Sequence, residues 1–293
     1  MKVFITGANG FVGSAVVSEL LSAGHEVLGL ARSEEAARAI QAAGAEVLRG
    51  SLDNHESLRI GSEKADGVIH LAFNPDFAAF QASCALDKSA IETIGASLVG
   101  TSKPLLVPNG IGGLAPGRIL TEDDNVPTTY SFPRVSEQTA LHLVSQGVIA
   151  SVIRLSQIHN VRRQGLVSTL IDIARTTGLS AYINDGNNLW PAAHVSDVAR
   201  LFRIALEMPE AGAKYHAVAE EGIEMRAIAT TISRSLGIPI KSLNTEEAQD
   251  HFGPLAPFVA MDMPASSDET IKRTGWHPTG PGLLADLEKI SRS

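Results

Sequence analysis

The 293-residue chain has an ordinary composition for a folded protein, with 44% hydrophobic residues, 19% charged residues and a formal net charge of −8. This acidic balance, with no basic run longer than Arg162-Arg163, argues against nucleic acid or a membrane surface as a partner. The single cysteine, Cys84, excludes an intrachain disulfide framework, and no stretch approaches the ~18 apolar residues that indicate a membrane span. We therefore expect a cytoplasmic protein.

Short apolar runs alternate with helical patterns through the first 155 residues. After the first strand, a helix over Ser14–Ala23 ends at Gly24, and Ser33 is a candidate cap for an Ala-rich helix that ends at Gly44. Such alternation predicts a Rossmann-type α/β fold with a doubly wound parallel sheet, because parallel neighbours need crossover connections. The predicted strands are Val3–Thr6, Val27–Ala31, Val47–Leu48, Val68–Ala72, Leu105–Val107 and Ser151–Leu155.

The pattern becomes less regular beyond Leu155. Helices are predicted over Leu166–Thr177 and Asp197–Leu206, the second with Ser196 as a candidate cap. Stretches 186–191 and 253–257 have the Gly, Pro and Asn content of loops. We expect a nucleotide-binding domain over residues 1–155 and, mainly within residues 156–293, a small C-terminal substrate lobe.

A glycine-rich loop connects the first strand to the first helix. Glycine permits a tight turn at Gly7, close backbone approach to a phosphate at Gly10, and packing of helix against strand at Gly13. The N-terminus of the helix offers unpaired N–H groups and positive partial charge to a pyrophosphate. We expect the pyrophosphate of a dinucleotide to bind at Gly7, Asn9, Gly10, Phe11, Val12 and Gly13.

The end of the second strand indicates which dinucleotide binds. An NAD site usually has an acidic residue there for the adenosine ribose, whereas this chain has Ala31, Arg32 and Ser33. A guanidinium at that position can bind a 2′-phosphate. The alternative is that Arg32 is simply a solvated residue before a helix. We predict NADP(H) as the cofactor, with Arg32 and Ser33 in its site.

Five segments together resemble the extended short-chain dehydrogenase/reductase superfamily, which also contains sugar-nucleotide epimerases and dehydratases. The resemblance implies that Ser51 and Leu52 border the adenine, that Leu71 and Ala72 lie beside the cofactor, and that a strand near 214–219 returns to the sheet. The matching segments are Thr6–Gly13, Gly50–Asp53, His70–Ala72, Trp190–Ala199 and Thr274–Pro278.

The same resemblance implies a catalytic Tyr with Lys four residues later, and a Ser or Thr after the fifth strand. A nearby cation lowers the pKa of the phenol, so that it can exchange a proton with a carbonyl oxygen. In this chain Tyr130 is followed by Arg134, and Asn109 is the polar residue after the fifth strand. These three residues are the candidate catalytic set, and they resemble the atypical branch of the superfamily.

Two observations complicate that set. Pro133 favours the first position of a helix, which would leave Tyr130 outside the helix and away from Arg134. An alignment on Glu137 instead places Thr129 and Pro133 at the Tyr and Lys positions. Both registers remain open from the sequence.

Several aromatic and histidine residues are candidates for contact with a small-molecule substrate. His159 follows the sixth strand, at the sheet edge where ligands of such folds bind. Phe73, Trp190 and His194 are the other expected substrate contacts, although a purely structural role beside the start of the helix, where Ser196 or Asp197 would be the cap, would also explain His194. The histidines have no metal-ligand spacing, so no metal site is expected.

Three functions fit these observations. The first is an NADP(H)-dependent reductase or dehydrogenase of a small carbonyl or alcohol, the second a non-catalytic NADP(H) sensor. The third is a sugar-nucleotide epimerase or dehydratase, in which Arg162 and Arg163 would bind a diphosphate. A homodimer is compatible with each of them.

Overall fold

The computed structural model describes residues 1–74, 79–127 and 132–290, in which strands and helices alternate from the start. The first part contains β1 (Lys2–Thr6), α1 (Phe11–Ser22), β2 (Glu26–Ala31), α2 (Glu34–Ala42), β3 (Glu46–Arg49), α3 (His55–Lys64), β4 (Gly67–His70), α4 (Phe80–Leu98), β5 (Pro104–Gly110), α5 (Ser136–Val144) and β6 (Ile149–Leu155). Each of the six predicted strands is present, with ends that differ by a few residues.

The second part has shorter strands and more helices. It contains β7 (Gln157–His159), α6 (Leu166–Thr177), β8 (Ser180–Ile183), β9 (Leu189–His194), α7 (Val195–Glu207), β10 (Lys214–Ala217), β11 (Glu220–Glu224), α8 (Met225–Leu236), β12 (Ile240–Leu243), α9 (Thr245–Phe252), a 3₁₀ turn (Gly253–Leu255), α10 (Ala256–Val259), α11 (Asp268–Thr274) and α12 (Leu283–Leu287). No helix in the described ranges is both long enough and apolar enough to span a membrane.

The main sheet is parallel and has helices on both faces. Within the described residues its seven strands follow the order β10-β6-β5-β4-β1-β2-β3. Successive residues of β1 point to opposite faces: Val3 and Ile5 pack with α1, α2 and α7, whereas Phe4 packs with α3, α4 and α5. The predicted Rossmann-type doubly wound sheet is confirmed.

One strand of this sheet comes from far along the chain. Lys214 in β10 lies opposite Val152 in β6, and the two strands run parallel. The return of the chain to the sheet places α7 against α1, since Val198, Leu201 and Phe202 of α7 join the core cluster on that face.

Many residues beyond β7, other than those of α7 and β10, form a second core. Two small sheets, β11-β9-β7 and β12-β8, pack with helices α6, α8, α9 and α12. The sequence prediction of a loop over 186–191 is wrong at its end, because Leu189–His194 pairs with strands on both sides. The predicted loop at 253–257 is instead occupied by the 3₁₀ turn and α10.

The start of α7 also differs from the prediction. Its N-cap is His194 rather than Ser196, because the His194 ring accepts a hydrogen bond from the Ser196 N–H. Asp197 is buried in the first turn, where its carboxylate accepts hydrogen bonds from the N–H groups of Thr279 and Gly280. The Asp197 carboxylate therefore fixes the segment around Thr279 and Gly280 against the start of α7.

Candidate functional site

The glycines after β1 have no room for side chains. Gly7 has a φ of +71°, and a Cβ there would lie 2.7 Å from the backbone nitrogen of Ala72. A Cβ on Gly13 would lie 1.9 Å from the Gly7 carbonyl oxygen. Thr6 ties the same loop to the turn after β4, because its hydroxyl oxygen accepts from the N–H groups of Leu71 and Ala72, each at 3.2 Å. The loop is held in one compact conformation.

The N-terminus of α1 opens beyond this loop. Gly10 is the N-cap, it makes no side-chain cap hydrogen bond, and the first turn holds no acidic residue. Asn9 and Gly10 are exposed, and the N–H groups of Phe11 and Val12 belong to the uncapped first turn. Backbone donors and the helix dipole therefore point at a site from which side chains are excluded, and this fits a pyrophosphate.

A cavity of about 480 Å³ lies at the carboxyl ends of β2 and β3. The parallel register pairs Ala31 with Arg49, so that the ends of both strands reach the same edge of the sheet. Arg32 is exposed and makes no hydrogen bond or ion pair with any residue the structure describes. The cavity is lined by Ala31, Arg32, Ser33, Glu34, Arg49, Gly50 and Ser51.

Arg49 is the second cation of this cavity. Its guanidinium donates to the Ser33 carbonyl at 3.1 Å and to the Glu34 carboxylate at 2.7 Å. The Ser33 hydroxyl oxygen caps α2 by accepting from the Ala36 N–H at 3.1 Å.

The two other expected adenine-side residues, Ser51 and Leu52, differ in their positions. Ser51 lines the cavity and donates its hydroxyl to Asp53, while Leu52 is partly buried against the core. The glycine loop, the uncapped helix and this cavity all lie at the carboxyl edge of the parallel sheet, and together they are called the cradle.

A buried chain of hydrogen bonds runs from the glycine loop towards the predicted catalytic segment. The Thr6 hydroxyl lies 2.9 Å from Nδ1 of His70, whose Nε2 lies 3.2 Å from a carboxylate oxygen of Asp87. The other carboxylate oxygen of Asp87 accepts from the Ser136 hydroxyl at 2.6 Å, and Nε of Arg134 donates to that same hydroxyl oxygen at 2.9 Å. Asp87 therefore links α4, β4 and the start of α5.

The charge of Asp87 is maintained despite its burial. Burial raises the pKa of its carboxyl, but the hydrogen bond and charge of His70, the charge of Arg134 and the Ser136 hydroxyl together bring the pKa below its ordinary value. Burial raises the pKa of the Cys84 thiol, one turn earlier on α4, and the structure places this free cysteine in the core. The Cys84 thiol is thus protonated and enclosed.

Arg134 makes contacts near the end of β5 that fix its guanidinium. It donates to the Ser136 hydroxyl oxygen, it donates to the Pro108 carbonyl at 3.3 Å, and its guanidinium lies 4.1 Å from the centre of the Phe73 ring. The contact with Phe73 is a cation–π interaction. The structure thus joins one expected catalytic residue to one expected substrate contact.

The structure changes the expected geometry of the segment before α5. The helix begins at Ser136, so the prediction that Pro133 occupies its first turn is wrong, and Arg134 lies outside the helix. Val135 is the N-cap, with φ −119° and ψ 27°, and no side chain caps the helix. Thr129 and Tyr130 lie outside the described residues.

Asn109 does not project into open space. It is 3% exposed, and its amide donates to the Glu137 carboxylate at 3.3 Å. Glu137 also forms a two-point ion pair with Arg154, which donates to its two oxygens at 2.9 and 2.6 Å. Both charged side chains have no exposed surface. The expected contact of the Asn109 amide with a substrate carbonyl or ribose is therefore corrected: its amide is committed to a buried network.

Half-buried aromatic rings continue from Phe73 towards the second half of the chain. Phe73 packs edge-on against Phe80 with centroids 5.8 Å apart, Phe80 against Phe132 at 5.2 Å, and Phe132 against Phe258 at 5.8 Å. This aromatic row, defined as Phe73, Phe80, Phe132 and Phe258, connects the turn after β4 to α10. It gives this end of the sheet an apolar surface.

Two of the expected substrate contacts meet around Asp286. Nδ1 of His159 lies 2.8 Å from Oδ2 of Asp286, and Nε2 of His194 lies 4.0 Å from the same oxygen. His159 is fully buried, so the side chain expected to contact a substrate offers no exposed surface for it; burial also lowers its pKa, although Asp286 acts in the opposite direction. Trp190 is also fully buried and donates its indole N–H to the Met261 carbonyl at 3.1 Å. The expectation that Trp190 forms a pocket wall is wrong, because β9 turns the ring into the core.

Comparison with known proteins identifies the family. The chain is 46% identical, over 98% of both chains, to an uncharacterised protein of Schizosaccharomyces pombe. Residues 3–84, which contain the glycine loop and the cavity, match the NAD dependent epimerase/dehydratase family. The chain belongs to this family. The resemblance to extended short-chain dehydrogenases/reductases is thereby confirmed.

Two further proteins that are similar to this chain carry different substrates in their names. A farnesyl-dihydroquinoline-oxide ketoreductase of Stigmatella aurantiaca is 28% identical over 81% of this chain and 74% of its own. The dTDP-glucose 4,6-dehydratase of Streptomyces venezuelae, solved with NAD, superposes with a TM-score of 0.79 at 16% identity, over 99% of this chain and 95% of that chain. The second likeness shows the shared fold, and membership of the family supports a nicotinamide cofactor.

Two contributors to the candidate site were missed by reasoning from sequence. Arg49 has a readable signal, because it ends the strand beside β2 and parallel strands end at the same edge. Asp87 has no such signal in the sequence. It lies on α4, a helix that was not predicted, and its partners His70 and Ser136 are 17 and 49 residues away.

Proposed function

We propose that the protein is an NADP(H)-dependent oxidoreductase that interconverts a small carbonyl compound and its alcohol. The observation that carries this proposal is the cavity at the ends of β2 and β3, where Arg32 and Arg49 stand and Ala31 replaces the usual acid. Guanidinium groups at this position bind a 2′-phosphate, whereas an acidic residue would repel it and bind the ribose hydroxyls of NAD.

The residues at the other end of the cradle support carbonyl chemistry. Bound NADPH would supply a hydride to the carbonyl carbon. Arg134, fixed by Ser136, Pro108 and Phe73, would stabilise negative charge on the carbonyl oxygen. A guanidinium keeps its proton at neutral pH, so Arg134 would orient the oxygen while Tyr130 remains the predicted proton donor.

The substrate we propose has an apolar body. The aromatic row begins at Phe73, in direct contact with Arg134, and therefore offers apolar surface next to the group that would hold the oxygen. The ketoreductase from Stigmatella aurantiaca is named for a dihydroquinoline oxide that carries a farnesyl group, which is an apolar chain. A sugar nucleotide would instead need many hydrogen-bonding groups at this surface.

Two measurements test the proposal. Titration calorimetry should find tighter binding of NADPH than of NADH, and Arg32→Ala should weaken NADPH by about tenfold while leaving NADH unchanged. Arg38→Ala is the control, since it removes a nearby exposed cation that lies on α2 and does not line the cavity. Equal affinities for the two cofactors would overturn the NADP(H) assignment.

Turnover is tested by NADPH oxidation with aromatic and long-chain ketones, aldehydes and quinones, and with sugar nucleotides as the comparison set. We expect activity with the apolar carbonyls. Arg134→Met should lower kcat by about 100-fold, with a smaller loss in Arg134→Lys because the cation is retained. A Tyr130→Phe variant that keeps the full rate would remove that residue from the mechanism.

A non-catalytic NADP(H) sensor is the second candidate. The observation in its favour is that the Asn109 amide, near the end of β5, donates to Glu137 within a buried network. A protein that binds NADPH tightly but turns over none of the carbonyl compounds would support the sensor over the oxidoreductase.

A further inference from the structure

We propose that the carboxylate of Glu34 occupies the 2′-phosphate position in the free protein and leaves Arg49 when the phosphate binds. Glu34 and Arg49 would then act together with Arg32 to set cofactor selectivity. This inference rests on the proposed NADP(H) dependence, which by itself needs only Arg32.

The position of Arg49 is fixed by the sheet. Its backbone ends β3 opposite Ala31, and its side chain crosses to the start of α2, where it donates to the Ser33 carbonyl and to the Glu34 carboxylate. All four of these residues line the same cavity. The Arg49 guanidinium is therefore held at the edge of the cavity. One of its two partners, the Glu34 carboxylate, is an anion that can move away.

The position that Glu34 occupies suits an anion of higher charge. It is the first residue of α2, a nine-residue helix, where the helix dipole favours negative charge. The Ser33 hydroxyl uses its oxygen to cap the helix, so its hydrogen stays available to donate to a phosphate oxygen. A 2′-phosphate placed there would meet both guanidinium groups, this hydroxyl and the positive end of the helix.

Glu34 can leave at little cost. Its side chain is 77% exposed and that of Arg49 is 51% exposed, so both groups already contact water. Exposed ion pairs of this kind are weak, and a carboxylate that swings outward regains its hydration. A phosphate of charge near −2 would replace a carboxylate of charge −1 against the same cations.

The inference predicts opposite effects for the two substitutions. Arg49→Gln removes a cation from the phosphate subsite, so the affinity for 2′-phosphorylated ligands should fall by about tenfold. Glu34→Gln removes the competing anion, so the same affinity should rise by about threefold. Ligands that lack the 2′-phosphate should change by less than about twofold in each variant, because neither side chain is then displaced.

Calorimetric titration with 2′,5′-ADP and with 5′-AMP isolates the adenosine end of the site. Glu35→Gln and Arg38→Gln are the matched controls, because each changes the charge of the same helix at an exposed position that does not line the cavity. Arg49→Lys should retain part of the affinity for 2′,5′-ADP. Melting temperatures of all variants verify that the site is folded.

The outcomes separate this inference from the proposed function. If the wild type prefers 2′,5′-ADP and Arg32→Ala removes that preference, but Arg49→Gln and Glu34→Gln bind as the wild type does, the inference is wrong and the NADP(H) assignment stands. A loss in Glu34→Gln, or an equal loss for 2′,5′-ADP and 5′-AMP in Arg49→Gln, also overturns it. A wild-type protein that shows no preference for 2′,5′-ADP over 5′-AMP would contradict both the NADP(H) assignment and this inference.

Discussion

The buried ion pair between Arg154 and Glu137 should be a large contributor to stability. Neither side chain has exposed surface, and the two-point contact is joined by hydrogen bonds from Arg154 to the carbonyl oxygens of Thr121 and Asp124 at 3.2 and 2.5 Å. Arg154→Met would leave the Glu137 carboxylate buried and unpaired. Breaking such a pair costs about 3–5 kcal/mol.

That loss corresponds to a lower melting temperature by about 6–15 °C for a chain of this size. Scanning calorimetry at pH 7 measures it, with Arg226→Met as the control. Arg226 pairs with Glu224 on the surface, where both side chains are about half exposed, so this variant should lose less than about 1 kcal/mol.

A double variant with Met at both positions tests the physical reason. Removing both charges avoids the isolated carboxylate, so part of the lost stability should return. Recovery should be incomplete, because the two carbonyl oxygens and the Asn109 amide also lose a partner. A melting temperature of Arg154→Met within about 2 °C of the wild type would correspond to a stability loss of about one kcal/mol or less. That result would refute a large contribution of the buried ion pair to stability.

Three further predictions follow from the structure. Gly13→Ala should abolish dinucleotide binding in calorimetry, because its Cβ would lie 1.9 Å from the Gly7 carbonyl oxygen; retained affinity would contradict the loop geometry. Burial lowers the pKa of His216 below its ordinary value of about 6.5, so folding stability should fall as the pH decreases below that value. Between pH 7.5 and 5.5 the melting temperature of His216→Gln should therefore fall less than that of the wild type. The Cys84 thiol should react with a disulfide reagent only on unfolding, and fast labelling of the native protein would show that it is accessible.

The main sheet can be predicted from the sequence because the patterns that indicate it are local. Apolar runs such as Val3–Thr6 and glycines at fixed spacing act within a few residues, and the parallel arrangement follows from the helices between strands. Trp190 shows the limit of such signals. A Gly- and Asn-rich stretch before it reads as a loop, but pairing of β9 with two strands distant in sequence decides where the ring points.

The candidate site divides in the same way. The cofactor half of the site depends on the glycine loop and on the ends of strands, which local sequence patterns predict. Placing Arg49 in it requires, in addition, only the parallel pairing of β2 with β3. The half around Arg134 depends on side chains brought together from α4 and from the segment before α5. The commitment of Asn109 to Glu137, across 28 residues, is a tertiary contact with no counterpart in local pattern.

We propose above all that the protein prefers NADP(H) to NAD(H), because Arg32 follows β2 where an acidic residue would favour NAD. Calorimetric titration of the wild-type protein with NADPH and with NADH, in the same low-salt buffer, tests it most directly. We expect NADPH to bind at least about tenfold tighter, with a difference that shrinks as salt is added. Equal affinities, or tighter binding of NADH, would contradict the account.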